Sequence, residues 1–318
     1  MEVGNVFVSI RCIVYNQESY VRQCLDGFVM QKTNFRFEAV VHDDASTDGT
    51  AAIIREYAEK YPDIIKPIFE NENQFSKNDG SLGRIMSEAC KGKYVAFCEG
   101  DDYWTDPLKL QKQVDFLEGH EEYSMCCTGF SQTFEGNESE KSPMVFDLDD
   151  ITIEHLIKGQ WIGTATVVYR RELLADYKPP FSHLPFGDVP MWFHLALKGK
   201  IKYLKDITAN YRRLNESACH FLDKKKEYLF GLDVMRVREY YAMLVDKVEV
   251  AQPMFSKNSH YYLEQCYQNQ WLDFPMDTLW HFVKEYGHPS GYDKLKYWGM
   301  KSKLRYRFSK EVLSLLKK

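Results

Sequence analysis

The sequence lacks three features, and each absence argues against a class of protein. Its eight cysteines are scattered without a C-x-x-C pair, so zinc and thioredoxin-like sites have no support, and a reducing compartment is expected. No apolar run approaches about 18 residues, and the first 16 residues lack the pattern of a signal peptide. The net charge of −5 argues against a general nucleic-acid binder. We therefore expect a cytoplasmic protein with no nucleic-acid partner.

The 318 residues present are 44% apolar and 27% charged, which is typical of a globular chain. Strands alternate with helices as far as residue 118, which favours an α/β fold with a mostly parallel sheet. The predicted strands cover 6–15, 37–42, 64–69 and 93–98, and the predicted helices cover 18–30, 50–60, 80–91 and 107–118. Further on, the pattern predicts a strand over 122–134, a polar loop over 135–143, a helix over 188–198 and a strand over 201–204.

The periodicity becomes helical from about residue 221. We therefore expect a domain over 1–220 and a helical region over 221–318, with helices over 222–246, 257–270, 275–286 and 302–317.

Acidic residues are concentrated at the ends of two predicted strands. Asp43 and Asp44 follow the second strand, and Glu99, Asp101 and Asp102 follow the fourth. Ligands of open α/β sheets bind beyond these strand ends. Two acidic clusters there would repel each other unless a positive or hydrogen-bond-donating group lay between them. A divalent cation with a phosphorylated ligand meets this need, and carboxylates suit Mg²⁺ or Mn²⁺. The alternative is that these carboxylates only cap the helices that follow.

Three blocks in this order carry a resemblance to a known family. They read VSIRCIVYNQESYVRQCLDGF, HDDASTDGT and GKYVAFCEGDDYWTDPLKLQKQV. Together they resemble the inverting family 2 nucleotide-sugar glycosyltransferases over about residues 6–215. The resemblance implies a GT-A fold, which is a Rossmann-like sheet with a metal-binding D-x-D type motif, here followed by a C-terminal helical appendage.

The resemblance implies a donor site for a UDP- or dTDP-sugar. Tyr15 matches a ring that stacks on the base, although a core aromatic is the alternative. Asp44 matches the carboxylate that accepts a hydrogen bond from pyrimidine N3–H, and Asp43 assists through ribose or fold contacts. Arg84 falls near a basic position that contacts the diphosphate, with a surface ion pair as the equal alternative.

The resemblance also implies a metal site at the second acidic cluster. Asp101 and Asp102 match the motif that holds Mn²⁺ or Mg²⁺, with Asp102 as the direct ligand, and Asp101 also belongs to the nucleotide site. The family often has Asp where this chain has Glu99, which lengthens the side chain.

The catalytic base implied by the resemblance is Asp188, in the block FGDVPMWFHLALKGK. It would remove the acceptor hydroxyl proton during a single displacement with inversion; the alternative, a helix N-cap, is compatible with that role. One departure from the family is Leu214, which stands where relatives often have His. Arg212 or Arg213 would then supply the positive charge, or the metal has fewer protein ligands.

Two further segments point to the acceptor. Residues 160–171 match the acceptor side in position, where Trp161, Thr164 and Thr166 line the site or simply form a structural strand. Residues 294–318 contain nine Lys or Arg and one Glu, interleaved with aromatics. This pattern predicts either peripheral contact with an anionic membrane at its inner face or a solvated helix packed on the domain.

We therefore expect a metal-dependent glycosyltransferase that transfers a sugar to a glycan or lipid-linked acceptor in surface polysaccharide assembly. The alternative is a catalytically inactive nucleotide-sugar-binding module. A receiver domain would need an acidic pair after the first strand, where Tyr15 and Asn16 stand. A nucleotidyltransferase would need a glycine-rich basic loop there, which QESYVRQ does not provide.

Overall fold

The computed structural model of the chain describes residues 5–215 and 222–316. The chain divides into two compact units. The first contains residues up to 153 with 160–183 and 190–214, and the second contains 154–159, 184–189 and the residues from 215 onward. The predicted boundary near residue 220 lies outside the described residues and stays a prediction.

The first unit is built on one mixed sheet. Its strands are β1 (Val8–Val14), β2 (Phe37–Asp43), β3 (Ile65–Phe69), β4 (Tyr94–Phe97), β5 (Tyr103–Trp104), β6 (Tyr123–Phe134), β7 (Asn137–Met144), β8 (Asp150–Ile151), β9 (Val168–Arg170) and β10 (Lys200–Arg213). Their order is β3-β2-β1-β4-β9-β6-β10-β5, with β7 on β6 and β8 on β10. The four strands from β3 to β4 are parallel to one another, as is the β6–β10 pair. The predicted α/β class is confirmed.

The parallel strands lie in the centre of the core. Val8, Ile10 and Cys12 of β1 are fully buried, and Tyr94 of the neighbouring β4 is as well. Helices cover the sheet because parallel strands need crossover connections. These helices are α1 (Val21–Val29), α2 (Thr50–Lys60), α3 (Ser81–Ala89) and α4 (Lys109–Gly119). Further along the chain, most of α5 (Ile153–Lys158) belongs to the second unit and most of α6 (Asp188–Lys198) to the first.

Helix α1 packs closely on the segment after β4. The ring of Phe28 lies edge-on to Trp104, with 5.1 Å between centroids. A Cβ added to Gly27 would come within 2.9 Å of the Trp104 backbone nitrogen, so glycine is needed there for this close approach.

Two predictions for the first unit were wrong. The polar stretch 135–143 is not a loop, because β7 pairs antiparallel with β6. Its side chains are mostly exposed, so no apolar alternation marks it as a strand. The strand predicted over 201–204 runs on to Arg213; irregular pairing between Leu204 and Ala209 breaks the period-two pattern there.

The second unit is helical where it is described. It contains α7 (Lys224–Leu244), α8 (Val248–Gln268), α9 (Met276–Tyr286), α10 (Gly291–Gly299) and α11 (Lys303–Leu316). The rings of Phe255 and Phe282 pack 5.3 Å apart in its core. Helix α10 was not predicted, although Ser290 and Asp293 form a capping box at its start. Among the described residues, none of the helices combines the length and apolarity needed to cross a bilayer.

Candidate donor site at the carboxyl ends of the parallel strands

The parallel pairing brings the predicted site segments to one edge of the sheet. Val14, the last residue of β1, is in register with Asp43, the last residue of β2. Strand β4 lies on the other side of β1 and leads into Glu99 and Asp101. The sheet therefore places the segments after β2, β1 and β4 side by side.

Hydrogen bonds hold the segments after β1 and β2 together. Asn16 and Ala45 both adopt left-handed conformations, with φ of 52° and 65°. The backbone N–H of Asn16 donates to Ser46 Oγ at 2.9 Å, and its side-chain Oδ1 accepts from the Thr47 N–H at 2.8 Å. The adjacent Tyr15 side chain is 47% exposed. Tyr15 is therefore not a core residue, and its ring is accessible on a braced turn.

The two carboxylates after β2 have different surroundings, although both are buried. Asp44 Oδ1 accepts from the Gln74 N–H at 2.7 Å, and its Oδ2 accepts from the Phe75 N–H at 3.0 Å. Asp43 Oδ1, in contrast, has no hydrogen-bond partner within the part of the chain that the structure describes. Asp44 thus fixes the loop that follows β3. Asp43 carries the orphan acceptor, the kind of buried polar atom that a ligand donor satisfies.

Glu99 ties the segment after β4 to β1. Its Oε2 accepts from the Ile13 N–H at 3.2 Å, and its Oε1 lies 3.4 Å from Arg11 Nη1. The longer side chain at this position therefore holds the strand ends together.

The next pair places two adjacent carboxyl groups after β4, with Asp102 buried and Asp101 half-buried. Burial raises the pKa of Asp101. Burial, together with the carboxylates of Asp101 and Glu99, raises the pKa of Asp102 well above its usual range. Asp102 Oδ1 accepts from the backbone N–H of Arg212 at 2.9 Å. Both ionised carboxylates would be stabilised by an added positive charge.

Arg212 is the basic residue that reaches this pair. Its Nη1 donates to the Asp101 carbonyl oxygen, and its Nη2 donates to Gln23 Oε1. The guanidinium lies 4.5 Å from the centroid of the Tyr103 ring. Arg213 instead lies over Phe134, at 5.6 Å. Of the two arginines that precede Leu214, Arg212 is therefore the one beside the acidic pair.

With this geometry established, the comparisons with known proteins decide the family. The model of glycosyl transferase family 2 matches residues 9–177, which is more than half of the chain. The chain belongs to glycosyl transferase family 2. The resemblance inferred from the three sequence blocks is confirmed.

Two relatives show how similar the sequences of other proteins are to this family 2 chain. An uncharacterized protein of Mycobacterium tuberculosis is 38% identical over 226 residues, which are 69% of this chain and 63% of that protein. The match thus leaves more than a third of the relative's length uncovered. TuaG of Bacillus subtilis is 29% identical over 213 residues, which are 66% of this chain and 80% of TuaG. Its name describes it as a putative teichuronic acid biosynthesis glycosyltransferase.

Solved structures share the fold at low sequence identity. The crystal structure of Staphylococcus aureus TarS 1–349 in complex with UDP-GlcNAc aligns with a TM-score of 0.67 at 18% identity, over 96% of this chain and 88% of that one. The mannosyltransferase PcManGT of Pyrobaculum calidifontis, in complex with GDP-Man and Mn²⁺, aligns with a TM-score of 0.51 at 16% identity, over 74% and 64%. These likenesses establish the GT-A type fold of the family 2 chain.

The acidic pair of the family 2 chain fits a divalent cation with few protein ligands. The described residues contain no group of three or more His, Cys, Asp or Glu side chains placed to hold a metal ion. Mg²⁺ is usually bound through one or two carboxylates together with substrate phosphates and water. Asp101 and Asp102 would supply two carboxylates of that kind, and a bound cation would offset the burial that raises their pKa values.

The structure does not join Arg84 to the acidic residues. Arg84 lies on α3, is exposed, and donates from Nη1 to the Asp79 carbonyl oxygen at 2.9 Å. Its predicted contact with a diphosphate stays a prediction.

Asp188 is the first residue of α6, and its Oδ1 accepts from the Val189 N–H at 2.8 Å. The role as a base and the N-cap alternative both stay predictions. In the predicted acceptor segment, Trp161 is 39% exposed and packs edge-on to Phe130, with 4.9 Å between centroids. Thr164 and Thr166 lie in a 3-10 turn rather than in a strand, and the buried Thr166 hydroxyl donates to the Gly163 carbonyl at 2.6 Å.

A buried group of hydrogen-bonded side chains, formed by Trp104, Lys109 and Gln113, was not predicted from the sequence. Trp104 Nε1 donates to the Ala165 carbonyl, and Gln113 Nε2 donates to the Thr166 carbonyl, both at 2.8 Å. Lys109 is fully buried, donates to Gln113 Oε1 at 2.6 Å and lies 4.5 Å from the Trp104 ring. Burial lowers the pKa of Lys109 to about 7. No local signal distinguishes Lys109 from the exposed lysines of a helix.

Proposed function

We propose that the chain is an inverting glycosyltransferase that moves a sugar from a UDP- or dTDP-sugar to a hydroxyl of a glycan or lipid-linked acceptor. The observation that carries the proposal is the pair of adjacent carboxyl groups of Asp101 and Asp102, which lies just after β4, beside the ends of β1 and β2. Family membership supports it, and so does the complex of the structural relative TarS with UDP-GlcNAc. The name of TuaG supports a place in surface polysaccharide assembly.

The donor nucleotide would be read by the residues after β1 and β2. The accessible ring of Tyr15 is placed to stack on a base, an interaction worth about 1–3 kcal/mol in nucleic-acid complexes. Asp44 accepts a hydrogen bond from N3–H of uracil or thymine, because each carboxylate oxygen has a second lone pair beyond the backbone N–H that it already binds. Asp43 Oδ1, which has no hydrogen-bond partner among the described residues, would accept a hydrogen bond from a ribose hydroxyl.

Asp101 and Asp102 would hold Mn²⁺ or Mg²⁺, as the Mn²⁺ complex of PcManGT suggests by analogy of fold. The cation supplies charge neutralisation for the departing diphosphate. Arg212 orients the Asp101–Asp102 turn through its own hydrogen bonds. Glu99 keeps that turn attached to β1.

Asp188 would act as the base. Its carboxylate takes the proton of the acceptor hydroxyl while that oxygen attacks the anomeric carbon. The bond from the anomeric carbon to the diphosphate breaks in the same displacement, so the configuration inverts. The nucleoside diphosphate, UDP or dTDP, then leaves with the electron pair of the broken bond.

The first test is calorimetric titration with UDP, dTDP, GDP and CDP, each with and without Mn²⁺. Binding of UDP or dTDP that needs the metal is the expected result. Asp102→Asn should remove the effect of Mn²⁺ on affinity, whereas Asp147→Asn, at a fully exposed carboxylate, should leave it unchanged. Equal tightening by Mn²⁺ in the Asp102 variant would place the ion elsewhere, and no binding of any nucleotide would overturn the proposal.

The second test separates an enzyme from a nucleotide-sugar-binding module without activity. Release of UDP or dTDP from UDP-GlcNAc, UDP-glucose and dTDP-glucose is measured with the wild type and with Asp188→Asn. We expect turnover by the wild type, and unchanged donor affinity with loss of turnover in the variant. Variant turnover within tenfold of the wild type refutes the base assignment. Donor binding without any wild-type turnover favours the inactive module.

A further inference from the structure

The last helix of the chain has apolar side chains on two opposite sides. On one side, Tyr306 and Leu313 are buried in the helical unit. On the other side, Leu304, Phe308 and Leu315 are 79%, 57% and 69% exposed. At 3.6 residues per turn these three lie within about 40° of one another around α11. Packing within the chain explains the first side and leaves most of the apolar surface of the second side exposed.

The exposed stripe continues onto α10. Trp298 is 39% exposed, and its ring lies edge-on to Phe308 with 5.9 Å between centroids. Arg305 lies 5.4 Å from the centroid of the Trp298 ring. We call Trp298, Leu304, Phe308 and Leu315 the outer apolar face. An indole beside a guanidinium is an arrangement that suits the boundary between water and lipid.

Cations flank the outer apolar face. Lys303, Arg305, Arg307 and Lys310 are all exposed, and none of them forms an ion pair with a described residue. Glu311 is the single acidic residue of α11. Surface lysines elsewhere in this unit are often paired, as Lys296 is with Glu264 and Lys301 with Asp277. The excess positive charge is therefore concentrated beside the exposed apolar stripe.

We propose that the outer apolar face and its flanking cations dock this chain on an anionic lipid bilayer. The apolar side chains would enter the boundary between headgroups and acyl chains, and the cations would contact lipid phosphates. A second copy of the chain suits this surface less well, because a self-pair sets the same cations against one another. The inference rests on α10 and α11 and does not depend on the proposed catalytic activity.

The test is co-sedimentation of the full chain with phosphatidylcholine vesicles that contain either no phosphatidylglycerol or 30% of it. We expect at least tenfold tighter binding to the anionic vesicles, and loss of most of that binding when the salt concentration rises from 50 to 300 mM. Equal binding to both vesicles, or no binding to either, would overturn the proposal.

Two variants locate the surface. Replacing Leu304, Phe308 and Leu315 with Ser should weaken binding at least tenfold, and replacing Lys303, Arg307 and Lys310 with Gln should remove the preference for anionic vesicles. The matched controls are Met243→Ser with Leu244→Ser, at exposed apolar positions of α7, and Lys226→Gln with Lys257→Gln, at exposed cations. Both controls should bind as the wild type does. Wild-type binding by the two test variants would refute the assignment.

Folding and self-association are measured on the same samples. Circular dichroism melts of the test variants should match the wild type, because the replaced side chains are exposed. Sedimentation velocity tests whether a second copy of the chain, rather than a membrane, covers the outer apolar face. If the wild type is a dimer that the Leu304, Phe308 and Leu315 replacements convert to a monomer, the face is an interface between copies and the membrane proposal is wrong.

Discussion

Lys109 makes the stability of the sheet unit depend on pH near neutrality. The side chain of Lys109 is fully buried and donates a hydrogen bond to Gln113 Oε1, and no carboxylate within 5–215 and 222–316 forms an ion pair with it. Burial disfavours the charged form and lowers the pKa from 10.5 to about 7. The unfolded chain therefore binds a proton at Lys109 that the folded chain gives up between these two values.

The sign and the size follow from this difference. Where the unfolded state binds more protons, the free energy of unfolding rises with pH, by about 1.4 kcal/mol per pH unit for one proton. The stabilisation is complete above the ordinary pKa of the amine and is lost as the pH falls through the folded value. Across the whole interval it amounts to about 5 kcal/mol, and between pH 7 and 8.5 Lys109 contributes a rise of about 1.6 kcal/mol.

Lys109→Met removes the titrating group and keeps most of the side-chain volume. The variant should lose the rise of about 1.6 kcal/mol between pH 7 and 8.5 relative to the wild type. It also leaves Gln113 Oε1 without its donor, which shifts the stability equally at every pH and does not change the slope.

The measurement is urea unfolding at several values between pH 7 and 8.5, with a separate transition fitted for each unit where two are seen. Lys112→Met is the matched control on the same helix. Its ion pairs with Asp106 and Asp206 raise the pKa of the amine, so it does not titrate in this interval. If Lys109→Met keeps the slope of the wild type, Lys109 is not the buried neutral amine described above.

Three further predictions concern the site. Gly100→Ala should lower the free energy of unfolding by about 1–3 kcal/mol, because a Cβ there would come within 2.9 Å of the Val14 methyl groups and would clash with Gln17 Oε1. Gly119→Ala, where a Cβ meets nothing within 4 Å, should leave the free energy of unfolding unchanged, and equal effects of the two variants in chemical denaturation would contradict this prediction. Arg212→Lys should weaken UDP binding in the presence of Mn²⁺ at least tenfold, because an ammonium cannot donate to both the Asp101 carbonyl and Gln23 Oε1 as the guanidinium does. Arg213→Lys should leave the affinity unchanged, and equal affinities of the two variants in calorimetry would refute the positioning role of Arg212. Tyr15→Ala should weaken UDP binding by about tenfold while Tyr15→Phe keeps it, since stacking needs only the ring; unchanged affinity of the alanine variant would remove the stacking role.

The sequence by itself predicted the chemistry at the strand ends. Short β-rich runs that end in polar bursts mark β2 and β4, and both signals are local, so they can be read without knowing the fold. They located Asp43, Asp44, Asp101 and Asp102 at one edge of a sheet, and the register of β1 with β2 agrees with that expectation. The α/β class and the family followed from the same segments.

Other features carried no local signal. The polar strand β7 lies at an edge with exposed side chains, and the irregular pairing of β10 interrupts its alternation. The buried amine of Lys109 differs from an exposed lysine only in what packs around it. Burial is a property of neighbours that are distant along the chain, so periodicity within one helix cannot reveal it.

The partners of the carboxylates depend on contacts between distant parts of the chain. Asp44 binds the backbone of Gln74 and Phe75, while the adjacent Asp43 keeps an oxygen without a partner among the described residues. Arg212 reaches Asp102 across 110 residues, because the antiparallel pairing of β10 with β5 brings the two segments together. A sequence specifies which charges are present near a strand end. Which groups they contact depends on long-range pairing, and that pairing places Arg212 beside Asp101 and Asp102.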